Sequence, residues 1–191
     1  MPLPPPPILA SDPEVYSPAE DTAFLLENLE PGAGSAADVG TGSGVIALAL
    51  AASGSTVLAT DINPAAVRLA ASNARANRLA VDLVRADLLH GVNQRFDLVA
   101  FNPPYVREPA RGHGLDRAWA GGGTTARFLK GLLPWLTADG RVTVLIEEGD
   151  TEAWAAVSSR YLVERRASRR LFFEELVAVT LRPRDDLRDP L

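Results

Sequence analysis

The sequence predicts an α/β protein built on a doubly wound parallel sheet, and three observations carry that expectation. Short apolar runs alternate with stretches of helical spacing from Ala36 to Leu181, the pattern of a parallel sheet with helices on both faces. The first run ends in a glycine-rich turn, Gly40-Thr41-Gly42-Ser43-Gly44. The next three lead into Asp61, Asp87 and Asn102, and ligands of such sheets sit beyond the carboxyl ends of the strands.

Each element has a local reason. Ser17, Pro18 and Glu20 read as the cap, first position and third position of a helix that carries Phe24, Leu25, Leu26 and Leu29. A strand over 36–39 leads through the glycine turn into a helix over 45–52. A strand over 56–60 follows. Asn63 then caps a helix that Pro64 opens and that runs to about Asn77. Strands are expected over 81–85 and 96–101, then a long glycine-rich loop over 106–125 and a helix over 126–136. A strand over 141–146, a helix over 151–160 and a closing hairpin over 162–169 and 172–181 complete the order. Three parts result: a proline-rich segment 1–14, a domain 15–181 and a charged tail 182–191. Loops as long as 106–125 inside a compact domain are usually functional or disordered. Arg111, His113 and Trp119 in it suggest a segment that engages a substrate.

Composition narrows the function. The 191 residues suffice for one α/β domain with a substantial core. The net charge of −5 argues against a chain that coats phosphate backbones, so stable nucleic-acid binding is not expected. The arginine pairs 165–166 and 169–170 read as a solvated face. The absence of cysteine removes disulfides, thiolate nucleophiles and cysteine-ligated zinc. With His90 and His113 the only histidines, no metal site is expected. No stretch has the length of a membrane span. The N-terminus lacks the basic start and apolar run of a signal peptide, so a cytoplasmic protein is expected.

The most informative stretch is Asn102-Pro103-Pro104-Tyr105. Two prolines fix φ and remove two N–H donors, leaving a stiff segment that presents carbonyl acceptors. Asn102 adds a side-chain acceptor and donors, and Tyr105 a flat ring. Such a site can hold a planar –NH2 group by accepting its hydrogens and stacking on its plane, as methylation of an amide or an exocyclic base amine requires. The glycine turn points to the cofactor. A dinucleotide fingerprint starting at Gly40 needs its third glycine at position 45, which is Val45. The spacing found, with glycines at 40, 42 and 44, favours S-adenosylmethionine, which has no pyrophosphate to cradle. Asp61 can take both ribose hydroxyls, a device that nicotinamide enzymes share. Asp87 can accept from the adenine amine with Leu88 against the ring, and Asp38 can reach the cofactor's amino group.

Tyr16 to Thr22, Asp38 to Gly44, Thr60 to Pro64 and Asn102 to Tyr105, in this order, resemble the class I S-adenosylmethionine-dependent methyltransferases. The resemblance is nearest to the HemK-like release-factor glutamine methyltransferases, in their short single-domain branch, and Trp119-Ala120-Gly121-Gly122 fits that branch too. It covers about residues 15–181. It implies a seven-stranded Rossmann-like sheet of order 3-2-1-4-5-7-6 with one strand antiparallel. Thr22, Asp38, Gly40, Asp61, Asp87, Leu88 and Asn102 match cofactor contacts, and Gly42 and Ile62 complete the expected cofactor set. Asn102, Pro103 and Tyr105 are the expected catalytic residues, with Pro104 beside them in substrate binding. The implied acceptor is the glutamine of a Gly-Gly-Gln loop in a class I peptide-chain release factor. The branch usually pairs with a small zinc-binding activator protein, for which Leu79, Val81 and Leu83 at the third strand offer an apolar edge. Where the branch carries a Gly-Arg pair, this chain has Gly123-Thr124-Thr125-Ala126-Arg127, and the role of Arg127 stays open. Other acceptors, the adenine amine of DNA or RNA and protein lysine, also stay open. From other classes, so do a nicotinamide-dependent dehydrogenase and a non-catalytic partner subunit.

Overall fold

A computed structural model describes residues 8–30, 32, 34–104, 123–171 and 174–187. Among these residues, twelve α-helices and β-strands follow one another. They are α1 (Glu20–Asn28), β1 (Gly34–Val39), α2 (Val45–Ala52), β2 (Ser55–Asp61), α3 (Pro64–Ala76) and β3 (Asp82–Arg85). Then come β4 (Phe96–Phe101), α4 (Thr124–Gly131), β5 (Leu136–Glu147), α5 (Thr151–Arg160), β6 (Tyr161–Leu171) and β7 (Glu174–Pro183). The seven strands form one sheet of order β3-β2-β1-β4-β5-β7-β6. β3, β2, β1, β4 and β5 are parallel, and β7 runs antiparallel to both β5 and β6. The expected order and the single reversed strand are both found.

Alternation along the strands builds two cores. Val142, Val144 and Ile146 of β5 face the layer that holds Phe128 and Leu129 of α4 and Val157 of α5. Leu145, between them in sequence, faces the opposite layer with Phe24 and Leu25 of α1 and Ile46 and Leu50 of α2. Fully burying such a side chain is worth about 1.5–3 kcal/mol. Both faces of the sheet are therefore closed by helices. The strand order reverses between β1 and β4, and the crevice at their carboxyl ends is the place for a ligand.

Several expectations shift at element ends. α1 starts at Glu20, not Pro18. Ala19 is extended at φ −130° and ψ −162°, and the reciprocal bond comes from Thr22, whose hydroxyl accepts from the Ala19 N–H at 3.5 Å. Ser17 and Pro18 stay outside the helix, which leaves Tyr16 placed to reach Asp21. α4 runs from Thr124 to Gly131, because Pro134 lacks the N–H that a longer helix needs, and a 3-10 turn over Leu133–Trp135 replaces the last turn. β5 begins at Leu136, five residues before the expected start. A register shift lets Phe96 pair with Leu136 while Leu98 pairs with Arg141. Gly140 permits the bulge, since a Cβ there would lie 2.7 Å from the Phe96 carbonyl oxygen. β7 extends to Pro183, so Arg182 belongs to the sheet and not to a loose tail.

Residues 8–10 are also tied down. Ile8 and Ala10 donate backbone N–H groups to Asn77 Oδ1 (2.9 Å) and Asn73 Oδ1 (2.8 Å), and both asparagines donate back to the same two residues. The two asparagines lie four apart in sequence, at the C-terminal end of α3 and its cap, on one face of the helix. No described helix is long and apolar enough to cross a membrane.

Candidate active site

Four neighbouring strands bring the expected residues to one end of the sheet. Asp38 and Gly40 lie at the end of β1, Asp61 ends β2, Asp87 follows β3 and Asn102 follows β4. The glycine turn needs its glycines. Gly40, Gly42 and Gly44 hold φ of +65°, +54° and +86°, the left-handed region that other residues enter at a cost. A Cβ on Gly44 would stand 3.0 Å from Ala70 Cβ, so this glycine lets α2 pack on α3. A Cβ on Gly40 would stand 3.4 Å from the Phe101 ring. Phe101 floors the turn and packs on Phe128 with ring centroids 4.5 Å apart.

Asp38 is fully buried. Its Oδ2 accepts from the Thr41 hydroxyl at 2.6 Å and the Ala47 N–H at 3.0 Å. Its Oδ1 has no partner among the described residues, and neither does the buried Ser43 hydroxyl in the same turn. Burial pushes the Asp38 carboxyl up to about 7, against the pull of its two hydrogen bonds. Asp61 is better provided for. Its Oδ2 accepts from the Gly42 N–H at 3.0 Å and its Oδ1 from the Asn63 N–H at 2.8 Å. Burial still raises its carboxyl above the usual range. Asp61 therefore holds the glycine turn on one side, and it keeps lone pairs for a ligand. Ile62 beside it is 39% exposed at the mouth.

Asp87 sits differently. Arg127 grips it as a fork, with Nη1 to Oδ2 at 2.7 Å and Nη2 to Oδ1 at 2.8 Å. Hydrogen bonding from Arg127 holds the Asp87 carboxyl below its ordinary value. Leu88 takes a left-handed φ of +53°, rare for a leucine. Its carbonyl accepts from the Thr60 hydroxyl at 2.8 Å, which fixes the turn. The sequence left Arg127 without a role. Its place on α4 joins the helix of one layer to the rim of the site.

At the other end, Asn102 is built into α1. Its Nδ2 donates to Asp21 Oδ2 at 2.9 Å and to the Thr22 hydroxyl at 3.3 Å. Pro103 is buried and Pro104 half-buried. Tyr105 lies outside the described residues, as do Arg111, His113 and Trp119. Of the expected set, Thr22, Asp38, Gly40, Gly42, Asp61, Ile62, Asp87, Leu88, Asn102, Pro103 and Pro104 all fall at or beside the carboxyl end of the sheet. Asp21 and Tyr16 stand within a motif that by itself gives them no task. Their signal was an acid directly before Thr22 and a tyrosine five residues earlier. The expected solvated arginine face on β6 is laced with ion pairs: Arg165 with Glu30, Arg166 with Glu148 and Arg169 with Glu27.

Sheet order and strand-end site together define a Rossmann-like methyltransferase. More particularly, the chain belongs to the methyltransferase small domain family, whose pattern matches residues 8–120. Methyltransferase HEMK2 of Mus musculus is 42% identical over 125 residues, covering 57% of this chain and 58% of the relative. A putative protein N5-glutamine methyltransferase of Methanocaldococcus jannaschii is 42% identical over 96 residues, 49% of each chain. A release factor glutamine methyltransferase of Streptococcus pneumoniae is 41% identical over 96 residues, 49% of this chain and 34% of the relative. These relatives bear out the HemK-like resemblance, although the chain spans only about half of their length or less. Among solved structures, the ribosomal protein L11 methylase of Lactobacillus delbrueckii aligns with a TM-score of 0.71 at 23% identity, over 90% of this chain and 83% of that one. At this identity the likeness speaks for the fold.

Proposed function

We propose that the chain transfers a methyl group from S-adenosylmethionine to the side-chain amide nitrogen of glutamine, in the Gly-Gly-Gln loop of a class I peptide-chain release factor. The observation that carries this reading is the orientation of Asn102. Its amide nitrogen donates to Asp21 and Thr22, so the carbonyl oxygen of the same planar group points away from those two residues.

The residues present fit the cofactor. The unpartnered Asp38 Oδ1 is a buried acceptor suited to a cationic amino group. The three left-handed glycines open a cradle that a Cβ would narrow. Asp61 keeps lone pairs for two ribose hydroxyls, and Asp87 and Leu88, with Ile62 at the mouth, suit an adenine. Thr22, Gly40, Gly42 and Asn102 complete the lining. When bound, S-adenosylmethionine supplies a methyl carbon already made electrophilic by its sulfonium.

What the chain must do is place a poor nucleophile in line. Asn102 Oδ1 and the Pro103 carbonyl accept the two amide hydrogens and hold the amide plane. Alignment of this kind can supply up to about 7–11 kcal/mol of a barrier. The same acceptors face the nitrogen as it becomes positive, and preorganised acceptors stabilise that charge. No base has to act before transfer, because the proton leaves the nitrogen afterwards. Tyr105 is assigned to the substrate plane on the motif alone.

The domain is taken as residues 15–181 with the end of β7, in a cytoplasmic protein. The ion pairs of Arg165, Arg166 and Arg169 on β6 favour a protein acceptor over a nucleic acid. For a small zinc-binding activator, the outer edge of β3 carries no strand among the described residues. The exposed apolar side chain of β3 is Val84, 41% exposed, while Leu79, Val81 and Leu83 are half-buried. The test is methyl transfer from labelled S-adenosylmethionine to a class I release factor, to the same factor with the glutamine replaced, and to adenine-containing DNA and RNA. Mass spectrometry places the label. Label that vanishes with the glutamine is expected. Label on nucleic acid alone overturns the proposed acceptor.

A further inference from the structure

We infer that Asp21 is the residue that sets which way the Asn102 amide points, and so makes Asn102 an acceptor toward the substrate. The inference rests on the proposed reading of Asn102. Asp21 is the second residue of α1 and is 8% exposed. Three donors converge on its carboxylate. The Tyr16 hydroxyl reaches Oδ1 at 3.0 Å, the Thr22 hydroxyl reaches Oδ1 at 3.4 Å, and Asn102 Nδ2 reaches Oδ2 at 2.9 Å. Asp21 and Asn102 are 81 residues apart in sequence, so the contact belongs to the fold and not to either motif.

An amide and a carboxylate differ in what they can offer a neighbour. An amide side chain has nearly the same shape in its two orientations, with oxygen and nitrogen exchanged. An ionised carboxylate can only accept hydrogen bonds. Facing Asp21, Asn102 must therefore present its –NH2 group, since the flipped amide would set oxygen against a carboxylate oxygen. Thr22 enforces the same choice. Its oxygen accepts from the Ala19 N–H and from Asn102, and its hydrogen goes to Asp21. Tyr16 holds the carboxylate from the far side. Burial, then the Asp21 charge, push the Tyr16 phenol up to about 12, so it stays a donor at working pH. These bonds agree in direction, and they leave Asn102 Oδ1 turned away from Asp21 and Thr22. Asp21 is thus a positioning residue. It gains nothing by touching the substrate and acts by denying Asn102 its donor orientation.

An isosteric exchange tests this without opening a cavity. Asp21→Asn can face Asn102 either as acceptor or as donor, so it permits the flipped amide. The expected result is a fall of about tenfold or more in kcat, with KM and the Kd for S-adenosylhomocysteine unchanged. The reciprocal pair is sharper. Asn102→Asp alone sets two carboxylates against each other and should be nearly inactive. Asp21→Asn combined with Asn102→Asp restores one donor facing one acceptor-only group, and should exceed Asn102→Asp at least tenfold in kcat. A merely structural Asp21 makes the double variant worse than either single one, and that result overturns the inference. A readout free of turnover separates it from the proposed function. The Asn102 side-chain –NH2 signal in 15N–1H spectra, identified by its loss in Asn102→Ala, should shift and exchange faster in Asp21→Asn. An unmoved signal overturns the inference even if every proposed acceptor fails. A shifted signal in a protein that methylates no offered substrate supports the inference and rejects the acceptor.

Discussion

The inner and outer ends of the site are built from the same residue type and behave in opposite ways. At the inner end, Asp38 is fully buried, one of its oxygens lacks a partner among the described residues, and its carboxyl is pushed up to about 7. At the outer end, Asp87 is half-exposed, both oxygens are held by Arg127, and its carboxyl is held low. Burial dominates in one place and pairing in the other. The inner end is costly to build and sensitive to change, which suits groups that must orient a reaction. The outer end is cheap and screened by solvent, which suits contacts that add affinity. The contrast makes predictions of graded size.

The largest concerns Asp38. Its folded-state value lies above the ordinary 3.8, so between about pH 4 and pH 7 the folded protein holds a proton that the unfolded chain has lost. The stability linked to this group is fullest below about pH 4 and declines as pH rises toward 7. The gap, at about 1.4 kcal/mol per pH unit, comes to about 4 kcal/mol. Urea unfolding of wild type and Asp38→Asn at pH 5 and pH 8 should show a wild-type decline that the variant, with no carboxyl to titrate there, does not share. Parallel pH profiles would mean that the orphan oxygen is solvated and that the two ends do not differ as argued. Next comes Asn102→Ala. Losing one preorganised group of this kind typically costs about 10²–10³ in kcat. Turnover should fall by that factor while S-adenosylhomocysteine binding, measured by calorimetry, changes little. Equal losses in both would place Asn102 among the cofactor contacts only.

The same contrast explains what could be read from the sequence. Strand ends with Asp61, Asp87 and Asn102 were legible because an aspartate or asparagine just past an apolar run is a local signal. So were α2, α3 and α5, which the alternating pattern places within about a residue of their observed bounds, with Asn63-Pro64 marking the start of α3. The start of β5 was not, because Gly140 and the bulge answer to Phe96 across the sheet, and no local pattern reports that. Ser17 looked like a cap because its sequence suits one, but the helix starts three residues later, with an extended Ala19 before it and the reciprocal bond supplied by Thr22. Arg127 and Asp21 escaped for the same reason. Each acts on a residue at least 40 positions away, and only the folded sheet brings them together.

A middle-sized effect tests the cradle. Gly44→Ala forces a left-handed alanine, worth roughly 1–2 kcal/mol, and drives its Cβ to 3.0 Å from Ala70 Cβ. The melting temperature should drop by several degrees, and Ala70→Gly in the same chain should recover the contact part but not the backbone part. Full recovery would mean that helix packing alone, and not the backbone conformation of the turn, demands glycine there.

The smallest effect belongs to the outer end, and its smallness is the point. Arg127 and Asp87 are both about half exposed as side chains, and exposed pairs contribute about 0.2–1 kcal/mol. Arg127→Ala should lower stability by no more than that, and the difference should fade by about 1 M salt, where the screening length is about 3 Å. The carboxylate has about four acceptor positions, so a ligand amine and the arginine fork can share it. Loss of Arg127 should then weaken S-adenosylhomocysteine binding only a few-fold, by loosening Asp87, whereas Asp87→Ala removes the acceptor and should weaken binding more. If Arg127→Ala instead cost as much as Asp87→Ala, and kept that cost at high salt, the fork would be a buried-type anchor in all but exposure. The division of the site into a wired inner end and a screened rim would then have to be redrawn around α4.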